Sequence, residues 1–315
     1  MSTPELTTTI QTLIKQESLP DSYADIAKKT ILPLAQHLHS LRQARSEPVV
    51  IGIHGAQGTG KSTLTLFLRD LLTAHYRIPT ANFSLDDLYL TRAEREKLAE
   101  EVHPLFITRG VPGTHDLSLG QQVIDQLKAA GPDSETAIPA FDKSRDDRRP
   151  KDQWPVFRGR ADIILIEGWC MGAEPAADES ELLTPVNALE ESEDPEGIWR
   201  RYVNRCLQGD YGRFFSQIDS LIMLKAPSLE CVHQWRTLQE HKLRETLNSA
   251  PKEGEKDGAH AQPLRIMSEE EVARFIMHYE RITRASLEEM PARADCVIHV
   301  DEDHNFSEPL IRQRQ

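Results

Sequence analysis

The feature that most constrains the fold of this chain is the nine-residue stretch Gly55-Ala-Gln-Gly-Thr-Gly-Lys-Ser-Thr63, which matches the phosphate-binding loop pattern G-x-x-x-x-G-K-[ST] at every fixed position. An apolar run at 49–53 precedes it, and apolar residues at helical spacing follow it at 64–72. Strand, glycine-rich turn and amphipathic helix is the context in which this pattern binds phosphate. The sequence therefore predicts a phosphate site, and a glycine-rich turn that binds nothing is the less favoured interpretation.

Phosphate binding explains why these residue types occur at these positions of the loop. Glycines at 55, 58 and 60 permit backbone angles that direct consecutive N–H groups at one anion, and the helix beginning near Lys61 adds its positive end. We expect Lys61 to reach the outer phosphates of a nucleotide and the Ser62 hydroxyl to ligate Mg²⁺. The predicted nucleotide-binding residues are Gly55, Ala56, Gln57, Gly58, Thr59, Gly60, Lys61, Ser62 and Thr63.

Composition and charge narrow the classes of protein that the chain can belong to. The 315 residues are 39% hydrophobic, which is enough for a core. With 37 basic and 50 acidic residues the formal charge is -13, so we expect neither a nucleic-acid nor a membrane partner. Four widely separated cysteines predict no zinc site and no disulfide framework. No apolar run approaches the ~20 residues that cross a bilayer, and the start lacks signal-peptide features, so we expect a cytoplasmic protein of undetermined oligomeric state.

Strand and helix patterns alternate along the chain. The predicted strands are at 49–53, 80–85, 163–166, 221–225 and 296–300. Helical patterns occur at 92–101, at 117–131, from the end of the fourth strand to residue 244, and at 269–288. This alternation predicts an α/β fold with a doubly wound parallel sheet, and ligands at the carboxyl ends of its strands. The apolar spacing within 1–46 predicts a helical N-terminal extension, which precedes a domain at 47–315. The acidic segment 174–197 predicts a surface loop, and the polar segment 248–263 a mobile one.

Three acidic residues lie at the carboxyl ends of predicted strands. Asp86 and Asp87 follow the second strand, and Glu167 follows the third. A kinase needs one carboxylate to orient and deprotonate the attacking hydroxyl, and another to hold Mg²⁺. An isolated aspartate pair is more often a turn or helix cap, and a lone glutamate is an ordinary strand-end charge. Together with the phosphate loop, this placement favours a catalytic role, but the spacing does not decide which aspartate is the base.

Four further segments together resemble the D-glycerate 3-kinase family. They are Ser84-Leu-Asp-Asp-Leu-Tyr89, Arg109-Gly-Val-Pro-Gly-Thr-His-Asp116, the segment 138–149 with Pro-Ala-Phe-Asp-Lys-Ser, and Glu167-Gly-Trp-Cys-Met-Gly172. That family belongs to the P-loop kinases, with uridine kinase, phosphoribulokinase and pantothenate kinase. The match runs from about 49 to about 306. It implies a three-layer P-loop kinase fold with a lid, and ATP and Mg²⁺ as cofactors.

The resemblance implies that the γ-phosphoryl group of ATP passes to a hydroxyl of a small acceptor, with D-glycerate as the first choice. Another small acceptor, such as a nucleoside or a pantothenate-like acid, is the alternative within enzymes. A nucleotide-binding regulator without phosphotransfer is the alternative outside them, because a fold alone does not determine function. The chain has no N-K-x-D sequence, so ATP is expected rather than GTP.

The resemblance also implies roles for individual residues. Lys61, Asp86 and Arg236 are the expected catalytic residues, with Asp86 as the base and Arg236 on a lid helix, and Glu167 joins Ser62 on the metal side. The expected acceptor-binding residues are Asp87, Tyr89, Arg109, Thr114, His115, Asp116, Asp142, Lys143 and Arg148.

Some of these assignments have a simpler interpretation. A carboxylate acceptor favours a bidentate guanidinium, which Arg109, Arg148 or Arg149 can supply. Arg148 and Arg149 also belong to a charged run at 143–151 that is typical of a solvated surface. A lone histidine is more often a structural hydrogen-bonding residue, and Arg236 can equally be an exposed helix residue. The sequence leaves these alternatives open.

Overall fold

The computed structural model of the chain describes residues 3–238 and 267–312. Its strands are β1 (Val49–Gly55), β2 (Thr80–Ser84), β3 (Glu135–Ala137), β4 (Phe141–Asp142), β5 (Asp147–Arg148), β6 (Val156–Arg158), β7 (Ile163–Gly168), β8 (Ser220–Lys225), β9 (Cys296–His299) and β10 (Leu310–Ile311). The central sheet has the order β10-β9-β8-β1-β7-β2. Its strands are parallel except for β10, which pairs antiparallel with β9.

Helices cover both faces of this sheet. They are α1 (Thr3–Gln16), α2 (Tyr23–Ile26), α3 (Leu32–Gln43), α4 (Lys61–Ala74), α5 (Arg92–Glu101), α6 (Leu117–Ala129), α7 (Ala188–Glu193), α8 (Ile198–Cys206), α9 (Gly212–Phe215), α10 (described over 229–238) and α11 (Glu269–Glu289). One π-helical turn, Ala27–Ile31, joins α2 to α3, and another, Leu207–Tyr211, joins α8 to α9. The result is the predicted three-layer α/β fold.

The two faces of the sheet bury two separate cores because successive side chains of a strand point to opposite sides. Ile51 and Leu165 pack with α4 and with the helices of residues 3–43. Val50 and Ile164 pack on the other face with residues of α6, α8 and α11. The near-continuous apolar runs of β1 and β7 follow from burial on both sides. The predicted boundary at 46/47 falls between α3 and β1.

The five predicted strands and the helices at 92–101 and 269–288 are present in the structure, within one or two residues of the expected ends. The sequence pattern did not predict β10 or the two antiparallel ribbons, β3 with β6 and β4 with β5. These strands have only two or three residues each, which is too short for a recognisable alternation. The predicted mobile segment 248–263 and the end of the helix to 244 lie outside the described residues.

The prediction of a surface loop at 174–197 is right for the exposure of most of its residues but wrong for its local structure and for two of its carboxylates. The segment contains a 3-10 turn, Glu179–Leu182, and the helix α7. Glu190 is fully buried, and its Oε1 accepts a hydrogen bond from Nε of Arg281 at 2.8 Å. Asp194 is also buried and pairs with Arg200 at 3.1 Å. The acidic composition suggested solvation, but arginines from α8 and α11 neutralise these carboxylates inside the fold.

Candidate active site

The carboxyl ends of β1, β2 and β7 meet at one edge of the sheet. In the strand register, Ile53 of β1 and Ser84 of β2 both lie beside Glu167 of β7. The glycine-rich loop and the predicted acidic residues are therefore neighbours. They border a cavity of about 550 Å³. The predicted site residues that line it are Gln57, Gly58, Lys61, Ser62, Asp86, Asp87, Tyr89, Arg109, Lys143, Glu167 and Arg236.

The glycine-rich loop has the backbone geometry of an anion cradle. Gly58 and Gly60 have φ angles of 82° and 86°, a left-handed conformation that favours glycine. A Cβ on Gly58 would also lie 2.7 Å from the Cβ of Trp235. Helix α4 begins at Lys61 with no side-chain cap, so its first N–H groups face the loop opening. The other residues of the loop do not line the cavity themselves: Gly55, Ala56, Thr59, Gly60 and Thr63.

Lys61 and Ser62 connect the loop to the acidic residues. The Lys61 ammonium donates to the carbonyl oxygen of Ala56 at 3.0 Å. Burial lowers the pKa of Lys61, while the charges of Glu167 and Asp86 act in the opposite direction. The Ser62 hydroxyl donates to Oε1 of Glu167 at 2.8 Å. A hydroxyl and a carboxylate at this distance are oxygen ligands of the type that Mg²⁺ accepts.

Asp86 has its carboxylate in the cavity. Tyr89 donates its hydroxyl to Oδ1 at 2.8 Å, and the Lys143 ammonium donates to Oδ2 at 2.6 Å. Burial alone would raise the pKa of Asp86, but the charge and hydrogen bond of Lys143 and the Tyr89 hydroxyl outweigh it and lower the pKa. Asp86 is therefore ionised at neutral pH and able to accept a hydrogen bond from a hydroxyl ligand.

Asp87 uses its carboxylate differently. One oxygen accepts from the backbone N–H of Ser84 at 3.1 Å, and the other accepts from that of Phe141 at 3.4 Å. With Ser84 it forms a reciprocal capping box on the 3-10 turn Leu85–Leu88. Burial raises the pKa of Asp87 to about 6, because the backbone hydrogen bonds do not fully offset desolvation. Asp87 thus ties the β2 turn to the start of β4, although it also borders the cavity.

Three residues predicted at the acceptor pocket lie behind the cavity wall instead of lining it. Thr114 is fully buried, and its hydroxyl donates to the carbonyl of Val111 at 2.7 Å. Asp116 caps α6 by accepting from the N–H of Leu119 at 2.9 Å. Arg148 donates to the carbonyl of Tyr89 at 2.8 Å and pairs with Asp116 at 3.4 Å.

His115 and Asp142 also do not line the cavity. The His115 ring stacks on Tyr89 at 4.7 Å between centroids, and Nδ1 lies 2.6 Å from the Tyr211 hydroxyl. Burial lowers the pKa of His115 to about 4, so the ring is neutral and supports Tyr89 from behind. Asp142 accepts from the backbone N–H of Ser144 at 2.9 Å and shapes the turn between β4 and β5.

Two arginines border the cavity on other sides. Arg109 forms an ion pair with Asp146, and its guanidinium lies 5.5 Å from the centre of the Phe141 ring. Arg236 of α10 lies with its guanidinium 5.6 Å from the centre of the Phe275 ring of α11. With Lys61 and Lys143, these groups surround the cavity with cations.

Three aromatic residues line the cavity that the sequence analysis had not assigned: Trp169, Phe275 and Tyr279. Tyr279 donates its hydroxyl to the carbonyl of Arg109 at 3.0 Å, and Trp169 donates its indole N–H to that of Gly110 at 2.8 Å. Gly110 has a φ of 135°, and a Cβ there would lie 2.1 Å from the Tyr279 hydroxyl oxygen. The position of Trp169 directly after the acidic end of β7 is a sequence signal that could have assigned it to the site. Phe275 and Tyr279 of α11 lie more than 150 positions from the glycine-rich loop, so no local pattern connects them with it.

Fold, loop and cavity together define a P-loop kinase. Comparison with known proteins agrees with that class, although no protein-family model matches the chain. A kinase of Schizosaccharomyces pombe, the uncharacterized kinase mug58, is 34% identical over 255 residues, covering 78% of this chain and 83% of its own. The chloroplastic D-glycerate 3-kinase of Arabidopsis thaliana is 29% identical over 273 residues, covering 82% of this chain and 54% of its own.

The solved structure of D-glycerate 3-kinase from Cryptococcus neoformans var. grubii has the same fold. Its TM-score is 0.68 at 24% identity, over 89% of this chain and 99% of that one. The chain therefore belongs to the same kinase family as mug58, and it is similar to proteins named D-glycerate 3-kinase. It spans about half the length of the chloroplastic relative. In residues 3–238 and 267–312, no helix is both long and apolar enough to cross a membrane.

Proposed function

We propose that the chain transfers the γ-phosphoryl group of ATP to a hydroxyl of D-glycerate and forms 3-phosphoglycerate. The observation that carries this proposal is that the Asp86 carboxylate shares one cavity with Lys61, Ser62 and Glu167. An ionised carboxylate facing a phosphate loop is the arrangement that a hydroxyl phosphotransfer requires. The relatives named as D-glycerate 3-kinases support the choice of acceptor.

The cavity suits ATP and Mg²⁺. The left-handed glycines and the uncapped start of α4 suit the phosphates, and Lys61, which lines the cavity, would contact the outer ones. Ser62 and Glu167 would hold Mg²⁺, and among the described residues no group of three or more His, Cys, Asp or Glu side chains gathers around a metal position. A hydroxyl and a carboxylate suit Mg²⁺, which keeps waters and phosphate oxygens as its other ligands. When bound, Mg²⁺ neutralises charge that develops on the phosphates.

The positive charge around the cavity suits an acid as acceptor. Arg109 and Lys143 both line the cavity near Asp86, and each is held by an ion pair. A planar guanidinium is the better partner for a carboxylate, so Arg109 is assigned to the acceptor's carboxylate. Lys143 already contacts the Asp86 oxygen at 2.6 Å and stands where an acceptor hydroxyl would approach.

In the proposed reaction Asp86 accepts the hydroxyl proton as the hydroxyl oxygen forms its bond to the γ-phosphorus. The bond from that phosphorus to the bridging oxygen breaks, and ADP leaves. Tyr89 keeps the Asp86 carboxylate oriented through its 2.8 Å hydrogen bond. Lys61 and Arg236 stabilise the negative charge of the transferring group. Because most catalysis of this reaction is positioning and electrostatics, the low pKa of Asp86 is compatible with a proton acceptor that acts late.

The test is a measurement of ADP release by the purified chain with D-glycerate, L-glycerate, glycerol, pantothenate and uridine as acceptors. We expect D-glycerate to be the best acceptor, 3-phosphoglycerate to be the product, ATP to be preferred over GTP, and activity to cease when a chelator removes Mg²⁺. A clear preference for pantothenate or uridine would overturn the acceptor. Nucleotide binding with no turnover on any acceptor would favour a regulator instead.

A further inference from the structure

We propose that Asp146 is a positioning residue for the phosphoryl acceptor: it holds the Arg109 guanidinium at the cavity wall, where that group binds the acceptor's carboxylate. The inference rests on the proposed function and extends it to a residue that lies outside the cavity lining. It follows from three contacts, the charge balance around them and the position of the hairpin tip.

Asp146 stands at the tip of the hairpin formed by β4 and β5. The register pairs Asp142 with Asp147, so the turn consists of residues 143–146. Asp142 shapes that turn by accepting from backbone N–H groups within it. Asp146 has a φ of 55°, a left-handed conformation that aspartate tolerates better than most residues. The tip therefore has a defined shape that presents the Asp146 carboxylate outward from the ribbon.

Arginines from two other segments converge on this carboxylate. Arg109 pairs with Oδ1, Arg95 with Oδ2 at 2.9 Å, and Arg92 with Oδ2 at 3.3 Å. Arg95 is completely buried and also donates to the carbonyl oxygens of Ile107 and Asp146. Ile107 lies two residues before Arg109 in the chain. One buried guanidinium thus bonds both to the segment that carries Arg109 and to the hairpin tip that carries Asp146.

The charge balance of this cluster favours a second anion. Three guanidinium groups contact the Asp146 carboxylate, but Arg92 also pairs with Glu96 at 3.0 Å. Arg95 and Arg109 therefore share the one charge of Asp146, and of these two Arg109 is the one that lines the cavity. A guanidinium has five N–H donors, so its pairing with Asp146 leaves donors for a carboxylate on the cavity side. The Phe141 ring, 5.5 Å from the Arg109 guanidinium, restrains its orientation from another direction.

The same turn carries Lys143, whose ammonium contacts Asp86. Asp146 therefore helps to set where the acceptor's two ends lie: the hydroxyl beside Asp86 and Lys143, and the carboxylate beside Arg109. Without the Asp146 charge, Arg109 loses its partner on the far side and is no longer held at the wall. The consequence should appear in acceptor binding and not in nucleotide binding.

The test compares Asp146→Asn, Arg109→Gln and the double variant, with Arg92→Gln as the matched control. Asparagine keeps the left-handed turn and removes the charge. Arg92 shares the same carboxylate but is half exposed and does not line the cavity. Steady-state kinetics are measured with D-glycerate, with glycerol as an acceptor that lacks the carboxylate, and with ATP varied separately. If Asp146→Asn fails to fold, Asp146→Gly, which also suits the turn, takes its place.

We expect Asp146→Asn to raise the KM for D-glycerate about tenfold, the loss typical of one charge-assisted hydrogen bond. Its kcat and its KM for ATP should stay within about twofold of wild type, as should kcat/KM for glycerol and all values for Arg92→Gln. In the Arg109→Gln background, Asp146→Asn should add less than about twofold, because both act through one guanidinium.

One kind of result would contradict only the positioning role of Asp146, and another would contradict the proposed function itself. If the two substitutions multiply, or if glycerol turnover falls as much as D-glycerate turnover, Asp146 only supports the hairpin and the positioning role is wrong. If wild type itself shows no preference for D-glycerate over glycerol, the proposed function fails, and the role of Arg109 fails with it.

Discussion

The side of the cavity that we propose binds phosphate, at 55–63, and the side that we propose binds the acceptor, around Arg109 and Lys143, are built in contrasting ways. On the phosphate side, the loop at 55–63 joins β1 to α4, and its internal hydrogen bonds span three to five residues, such as Thr59 to Ala56 and Lys61 to Ala56. On the acceptor side, Arg109 and Lys143 come from separate segments. Asp146 and Tyr279 contact Arg109, and Asp86 pairs with Lys143, so each contact joins distant parts of the chain.

We therefore expect the two sides to tolerate substitutions differently. A contiguous loop on rigid strand and helix ends keeps its shape when one side chain is removed, so substitutions there should affect chemistry more than folding. The acceptor side depends on polar contacts between segments, and each contact has both a structural and a recognition role. The residues there should fall into two groups, those that face the cavity and those that hold its wall, and substitutions should distinguish the two groups.

The largest effect is expected on the phosphate side, for Lys61→Ala. Because we propose that Lys61 contacts the transferring phosphates, its removal should lower kcat by at least about 10⁴-fold, comparable to the loss of other cations that stabilise this transition state. The melting temperature should stay close to that of wild type, since the loop backbone is unchanged. Lys97→Ala, at an exposed lysine of α5, is the control. Substantial turnover by Lys61→Ala would contradict the assignment of the whole loop.

The next largest effect is expected for Asp86→Asn, on the border between the two sides. The substitution keeps the shape but removes the charge and the proton acceptor, so kcat should fall by about 10² to 10⁴-fold. ATP affinity, measured by calorimetry, should change little because the phosphate loop is untouched. A variant with normal turnover would exclude Asp86 as the base and make Glu167 the next candidate.

A smaller effect on turnover is expected for Asp87→Asn, because Asp87 is adjacent to Asp86 in the sequence but its carboxylate binds backbone N–H groups. Turnover should stay within about threefold of wild type. The folded-state pKa of Asp87, about 6, is higher than its ordinary 3.8, so its contribution to stability is present at low pH and is lost as pH rises from about 4 to 6. Relative to Asp87→Asn, wild type should therefore lose up to about 3 kcal/mol of unfolding free energy over that window.

Urea unfolding of both proteins at pH 4.5, 5.5 and 7.0 measures this difference for Asp87. The exposed Asp133 provides a control in Asp133→Asn, for which the difference from wild type should not change across the window. A constant difference for Asp87→Asn, or a dead enzyme, would mean that its carboxylate has another role than capping the β2 turn.

The smallest catalytic effect is expected for Arg148→Gln, behind the acceptor wall. The change removes the Arg148 contacts to the Tyr89 carbonyl and to Oδ2 of Asp116, which should cost about 1 to 3 kcal/mol of unfolding free energy. The KM for D-glycerate should change less than about threefold. Arg158→Gln, at an exposed arginine of β6, is the control for stability. A large rise in KM without loss of stability would place Arg148 in contact with the acceptor.

Much of the framework could be predicted from sequence. The phosphate loop, the strands β1, β2, β7, β8 and β9, and the cap of α6 by Asp116 follow from periodicity, glycine placement and capping chemistry. These signals are local: each depends on residues within one or two turns of a helix or along one strand. Parallel strands then bring their carboxyl ends to one edge, so the neighbourhood of Lys61, Asp86 and Glu167 also follows from the order of elements.

The tertiary structure alone decided how neighbouring residues of like chemistry divide their tasks. Asp86 faces the cavity while Asp87 binds backbone N–H groups, and Arg109 lines the cavity while Arg148 lies behind it. It also buried Glu190, against the acidic appearance of its segment. In each case the deciding partner lies more than 25 residues away or on another element: Lys143 for Asp86, Phe141 for Asp87, Asp146 for Arg109 and Arg281 for Glu190. A charged side chain takes its role from the group that compensates its desolvation, and that group is known only when the chain has folded.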